Sequence, residues 1–241
     1  MTRNIVAIGG GSIGDGGTRA IDEELVRLTN QARPHLLFIP TASNDDTPYA
    51  QMVERVYREL GCTTDTLWLW GKDAENPEAK IAQADAIYVG GGNTKAMMRR
   101  WRELGVDRAL REFVASGKPA GGLSAGALCW FRVGNSDWPQ YEGLAGINTA
   151  PIECLGIVDL VLCPHTRDEG FRLKEFREMM QTTPGVGIGL DDGCAIQIRD
   201  DEYRILASQE GSVAHRIEWV EGQLAERILG PHADFRALGG I

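Results

Sequence analysis

Five short segments of this chain carry side chains and backbone groups suited to acyl-transfer chemistry. They read Gly9-Gly10-Gly11-Ser12, Pro40-Thr41-Ala42-Ser43, Gly90-Gly91-Gly92-Asn93, Ser124-Ala125-Gly126 and Pro164-His165. The strongest is Gly122-Leu123-Ser124-Ala125-Gly126, a G-x-S-x-G turn between an apolar strand-like run and the helix-like Ala125–Phe131. Small residues let the chain reverse sharply and present the hydroxyl, so Ser124 is the candidate nucleophile. A serine needs a base. The chain has four histidines. His35 precedes its strand, His215 lies within a late strand and His232 falls in the tail, which leaves His165 as the base. A carboxylate must then orient the imidazole. Asp137 in Asn135-Ser136-Asp137-Trp138-Pro139 is the first choice and Glu142 the reserve. The glycine run preceding Asn93 can approach a substrate closely, because it has no side chains to clash. The N–H groups of Gly92 and Ala125 are therefore expected to form the oxyanion hole.

Apolar runs at Ile5–Ile8, Leu36–Ile39, Thr66–Trp70, Ala86–Val89, Ala120–Leu123 and Ile157–Cys163 read as strands. Helix-period segments at Thr18–Gln31, Thr47–Leu60, Thr94–Glu103, Asp107–Ser116 and Phe171–Gln181 alternate with them. Continuous apolar strands separated by amphipathic helices predict an α/β fold: a three-layer, doubly wound, mostly parallel sheet. All five chemical segments stand at the carboxyl ends of these strands, where ligands bind in open α/β sheets. After about Gly185, Ala195–Arg199, Arg204–Ala207 and Ser212–Val220 predict an antiparallel C-terminal extension. Residues 1–241 read as one domain, with no low-complexity linker.

The composition narrows the partners. The chain has 241 residues and a net charge of −9. That charge disfavours nucleic acid and anionic membrane surfaces. It would also repel an acidic substrate unless the pocket supplied a local cation. An odd number of cysteines, five, with no C-x-x-C spacing, predicts neither a disulfide framework nor a zinc site. Met1-Thr2-Arg3-Asn4 runs straight into a strand-like segment without the pattern of a signal peptide. The longest uncharged run, Pro119 to Phe131, is too short to span a bilayer. A cytoplasmic location, no cofactor and no metal are the corresponding expectations. Asp191-Asp192 reads as a turn. The sequence does not set the oligomeric state, and a homodimer is compatible with it.

Taken together, the glycine run ending at Asn93-Thr94, the Gly-x-Ser-Ala-Gly turn, Asp137-Trp138-Pro139 and Pro164-His165 resemble the aspartyl dipeptidase (peptidase E) family, which includes the cyanophycinases. The resemblance spans about residues 35 to 200. It implies a fold similar to class I glutamine amidotransferase domains, with serine in place of their cysteine, and metal-free cleavage after an N-terminal acidic residue. It maps the nucleophile to Ser124, the base to His165, the acid to Asp137 and the oxyanion glycine to Gly92. Glu142 stays open because cyanophycinases use glutamate. Arg172 is matched to the arginine that binds the substrate carboxylate, with Asn93 as a further substrate contact. Cyanophycinase-like or isoaspartyl peptidase activity is the nearer alternative. A non-catalytic ligand- or nucleotide-binding member of the fold is the more distant one. Gly9-Gly10-Gly11-Ser12-Ile13-Gly14 satisfies a dinucleotide motif, but the second strand offers no acid for a ribose.

Overall fold

A computed structural model describes residues 3–71, 73–167 and 170–241. Met1 and Thr2, part of the segment from which the absence of a signal peptide is read, lie outside the described residues. The strands are β1 (Asn4–Ile8), β2 (His35–Ile39), β3 (Thr63–Thr66), β4 (Ala86–Val89), β5 (Pro119–Leu123), β6 (Phe131–Ser136), β7 (Ala150–Glu153), β8 (Val158–Cys163), β9 (Gly187–Leu190), β10 (Cys194–Arg199), β11 (Glu202–Ala207), β12 (Ala214–Val220), β13 (Gln223–Leu229) and β14 (Arg236–Ala237). The helices are α1 (Arg19–Arg27), α2 (Thr47–Glu59), α3 (Pro77–Gln83), α4 (Thr94–Leu104), α5 (Val106–Ala115), α6 (Ala125–Leu128), α7 (Trp138–Tyr141) and α8 (Arg172–Met180).

The fold is α/β, as the alternation of apolar runs and helical segments predicts. It contains two sheets. The larger has the order β14-β11-β10-β1-β5-β4-β2-β3, and the smaller β13-β12-β9-β8-β6-β7. The block β1, β5, β4, β2 and β3 is parallel. β1, β2, β4 and β5 are buried nearly throughout, which is why they read as unbroken apolar runs rather than alternating ones, while the edge strand β3 is polar and partly exposed. The C-terminal strands are antiparallel but divided between the sheets. β10 pairs with β1, and β12 pairs with β9. The four-residue α6 passes the chain from β5 in the larger sheet to β6 in the smaller. One buried cluster includes Ile5, Val89, Trp130, Leu162, Leu190 and Ile196, and so draws on both sheets.

Local chemistry explains the element ends. Asp46 caps α2 by accepting the Tyr49 N–H at 2.7 Å, with proline in the first turn. The run Thr66–Trp70 reads as a strand because Leu67 and Leu69 are buried. The actual strand, β3, ends at Thr66. Beyond it the Trp68 N–H donates to Asp73 at 2.9 Å and the Trp70 N–H to Asp45 at 2.7 Å. Side-chain carboxylates thus replace the ladder partners, and the chain turns.

α1 carries a buried acid on its core face. Asp22 accepts hydrogen bonds from Thr18 Oγ1 at 2.7 Å and Tyr57 Oη at 3.0 Å. Burial outweighs those bonds and pushes its pKa from 3.8 up to about 6. A carboxyl whose folded pKa is raised contributes most stability below its unfolded pKa, and that contribution is lost as pH rises through the folded value. The window therefore runs from about pH 4 to about pH 6, and a shift of this size corresponds to at most about 3 kcal/mol. Asp22→Asn carries no ionisation penalty. Urea unfolding at about pH 4 and about pH 7.5 should show the variant gaining stability relative to the parent at the higher pH, by up to about 3 kcal/mol.

Candidate active site

Ser124 follows β5 with φ 56° and ψ −113°, a strained conformation for a residue with a side chain. Its N–H donates to the Ile8 carbonyl at 3.0 Å, which ties the turn to β1. The flanking glycines are required by contact. A Cβ on Gly122 would sit 2.5 Å from the Val89 carbonyl oxygen, and one on Gly126 would sit 2.0 Å from it. The turn can therefore close against β4 only with hydrogen in both places.

His165 follows β8 in the other sheet. It too has positive φ, 58°, and its N–H donates to the Gly9 carbonyl at 3.2 Å. His165 Nε2 lies 2.9 Å from Ser124 Oγ. On the far side of the ring, Nδ1 lies 2.9 Å from Asp192 Oδ1. A carboxylate can only accept, so Nδ1 carries the proton and Nε2 is left to accept from the serine hydroxyl. Asp192 is buried, and its Oδ2 meets no hydrogen-bond donor among the described residues.

The acid beside the imidazole is thus Asp192, where Asp137 or Glu142 was expected. Asp137 Oδ2 lies 3.2 Å from the guanidinium of Arg172, whose side chain is only 1% exposed. Glu142 is ion-paired with Lys95 at 2.8 Å. Both carboxylates follow β6 and serve other cations. Asp191-Asp192 does form a turn, between β9 and β10, and the turn also brings a carboxylate to the His165 ring. β9 lies parallel to β8, with Cys163 paired to Gly189. Residues just beyond the two strands are therefore neighbours. The signal was the short apolar segment Gly187–Leu190, whose glycines hid it as a strand.

The Asp192 turn is firmly held. Ser212 Oγ donates to the Asp192 carbonyl at 2.7 Å. Asp191 accepts from Thr166 Oγ1 at 2.8 Å and from the Val213 N–H at 3.1 Å, and His215 Nε2 lies 3.5 Å away. Burial tends to raise the Asp191 pKa, but the bonds from His215, Thr166 and Val213 prevail and hold it below the ordinary carboxylate range. Thr166 follows His165 and Asp191 precedes Asp192, so this bond fixes both loops at once.

Gly92 has φ +133°, and a Cβ there would lie 2.2 Å from the Ala42 carbonyl oxygen. Gly91, Gly92 and Ser124 line one cavity of about 310 Å3, together with Gly11, Ser12, Ile13, Tyr49, Met52, Leu123 and His165. Ala125 is the first residue of α6. Asn93, expected to contact substrate, caps α4, its Oδ1 accepting the Ala96 N–H at 3.0 Å. Arg172 begins α8, held on Asp137. Gly9 and Gly10 pack closely against the β9–β10 turn. A Cβ on Gly10 would stand 1.8 Å from Asp192 Oδ1 and 2.4 Å from His165 Nδ1. Among the described residues, no group of three or more His, Cys, Asp or Glu side chains could hold a metal ion, and no helix is long and apolar enough to cross a membrane.

An α/β framework that sets a serine, a histidine and an aspartate in hydrogen-bonded sequence is an arrangement suited to hydrolysis. Residues 5–206 match the model of peptidase family S51, and the chain belongs to that family. It is a peptidase. It is 31% identical over 227 residues to the uncharacterized peptidase YgaJ of Bacillus subtilis, covering 93% of this chain and 96% of that protein. It is 27% identical over 206 residues to peptidase E of Shewanella denitrificans, covering 80% of this chain and 83% of that one. The crystal structure of a peptidase from an acI-B1 Actinobacterium superposes with a TM-score of 0.74 at 18% identity, covering 98% and 97% of the two chains, and so shares the fold.

The close approach at Gly10 yields a test. Gly10→Ala forces either Asp192 or the His165 ring to move. Peptide hydrolysis should fall by at least about 100-fold, as expected for misplacement of roughly an ångström, while far-UV circular dichroism stays that of the parent.

Proposed function

We propose that this chain is a serine peptidase acting on short peptides through Ser124, His165 and Asp192. The observation that carries the reading is the continuous hydrogen-bonded line Ser124 Oγ–His165 Nε2–Asp192, with both separations at 2.9 Å.

Ser124 Oγ attacks the scissile carbonyl carbon as His165 Nε2 takes the hydroxyl proton. Asp192 stabilises the resulting imidazolium and keeps the ring in the tautomer that can accept. The carbonyl oxygen becomes an oxyanion, and the Gly92 and Ala125 N–H groups are the donors we assign to it. One such donor is worth about 3 kcal/mol in a transition state. The tetrahedral intermediate collapses with cleavage of the C–N bond. His165 gives its proton to the departing amine and leaves an acyl ester on Ser124. Water then adds to the ester with His165 again taking the proton. The second collapse returns that proton to Ser124 and releases the carboxylic acid. The proton inventory closes without a further reactant.

The size of the cavity supports a small substrate. At about 310 Å3 it stands at the lower end of small-molecule sites. An acidic N-terminal preference, which the family resemblance implies, would depend on Arg172. That guanidinium is buried against the Asp137 carboxylate, so a substrate carboxylate would have to displace or share that partner.

Three substitutions separate the roles. Ser124→Ala should abolish labelling by a fluorophosphonate together with peptide hydrolysis. Asp192→Asn should keep the fold and lower kcat by about 10^3- to 10^4-fold, because the amide no longer imposes the required tautomer. Asp137→Asn removes a counter-charge from Arg172. It should cost about 1–3 kcal/mol of stability and leave the turnover of the folded enzyme within about tenfold of the parent. Should Asp137→Asn, and not Asp192→Asn, carry the large kinetic loss, the assignment of the acid would be refuted.

A further inference from the structure

We infer that the cavity beside Ser124 selects a neutral, apolar residue adjoining the scissile bond, in preference to an acidic or basic one. This deepens the serine-peptidase reading and rests on it.

The apolar side chains of the cavity wall come from three elements. Ile13 belongs to the loop after β1, Tyr49 and Met52 to α2, and Leu123 to the end of β5. Ile13 is buried, while Tyr49, Met52 and Leu123 are half-buried, so their free surfaces are available to a ligand. Sequence spacing explains the juxtaposition. Tyr49 and Met52 are three apart on one helix face, and the loop Gly11–Gly14 passes over them. Gly14 has no side chain, and a Cβ there would lie 2.5 Å from Met52 Sδ, so the loop settles directly on the methionine. The Tyr49 ring is held edge-on by Phe38, with centroids 5.3 Å apart. Its hydroxyl accepts from the Gly91 N–H at 3.4 Å.

Charge is disposed against an anion. Burial pushes the Tyr49 phenol up to about 12, and the Asp22 carboxyl behind it adds to the rise. The phenol is therefore neutral at physiological pH, and an acid already stands behind the wall it forms. Asp192 adds a second carboxylate on the far side of His165. A substrate carboxylate entering here would lose water against isoleucine, methionine and leucine, and the Asp22 and Asp192 carboxylates would oppose it. An ammonium group would suffer the same desolvation, and among the described residues no charged side chain lines the cavity to receive it. A leucine, methionine or phenylalanine side chain loses nothing by leaving water, and a methionine wall adapts readily to its shape.

The experiment compares kcat/KM for Leu-Ala, Ala-Leu, Asp-Ala, Ala-Asp, Lys-Ala and Ala-Lys, alongside fluorophosphonate labelling of Ser124 in the same preparation. The expected result is that Leu exceeds Asp and Lys at one or both positions by at least about tenfold, the scale on which apolar pockets discriminate. Met52→Arg places a cation in the wall and should shift the Leu-to-Asp ratio toward Asp by at least about tenfold. Met52→Leu should leave the ratio near that of the parent. The parent ratio alone decides the matter if Met52→Arg fails to fold. Equal rates, or preference for Asp or Lys at both positions, with Ser124 labelled normally, would overturn the apolar preference and leave the serine peptidase standing. Loss of labelling together with unchanged hydrolysis in Ser124→Ala would overturn the serine peptidase itself.

Discussion

Gly10 stands where three loops converge. The space its Cβ would occupy is filled by Asp192 Oδ1 and His165 Nδ1. On either side, the backbone of the same loop makes the joints. Gly9 accepts from the His165 N–H at 3.2 Å, and Gly10 accepts from the Gly193 N–H at 2.9 Å. The strand that feeds this loop ends in Ile8, whose carbonyl receives the Ser124 N–H at 3.0 Å. β1 is therefore the bracket that relates a serine from one sheet to a histidine and an aspartate from the other. Without the glycines, the imidazole and carboxylate could not come this near to it.

The bracket also explains why strain persists here. Ser124 and His165 both have positive φ, at 56° and 58°. Each such residue costs on the order of 1–3 kcal/mol and survives only where its surroundings overdetermine it. Those surroundings are the close contacts of Gly122 and Gly126 with β4, and the Thr166–Asp191 hydrogen bond at 2.8 Å. The rigidity is itself functional in the proposed mechanism. A proton moving between Oγ and Nε2 needs both atoms held at hydrogen-bond distance before the substrate arrives.

Charge is arranged on the same principle, with each cation and acid assigned a partner by position. Asp137 neutralises Arg172, Glu142 meets Lys95, and Asp192 faces the imidazole. These three acids thus have three separate partners. Only the last of them can stabilise a charge that develops on His165. The apolar wall of Ile13, Tyr49, Met52 and Leu123 complements this arrangement, because exclusion of water strengthens the interactions along the proposed triad.

The Ser124 turn and the placement of His165 were legible in the sequence because local signals specify them. Gly122 to Gly126 encodes a sharp turn after an apolar strand, and His165 directly follows another such strand. The α/β class was legible for the same reason, since buried parallel strands must be continuously apolar. The acid was not legible. Asp192 meets His165 only because β9 lies beside β8, and a two-glycine strand leaves little trace of that pairing in composition. The role of Gly9 and Gly10 was equally hidden: glycines that let a backbone approach a phosphate look the same in sequence as glycines that let it approach a carboxylate. The division of the late strands between two sheets and the engagement of Asp137 by Arg172 likewise depend on contacts between distant segments. Residue spacing along the chain determined which groups stand at strand ends, and the lateral order of the strands decided which of those groups meet.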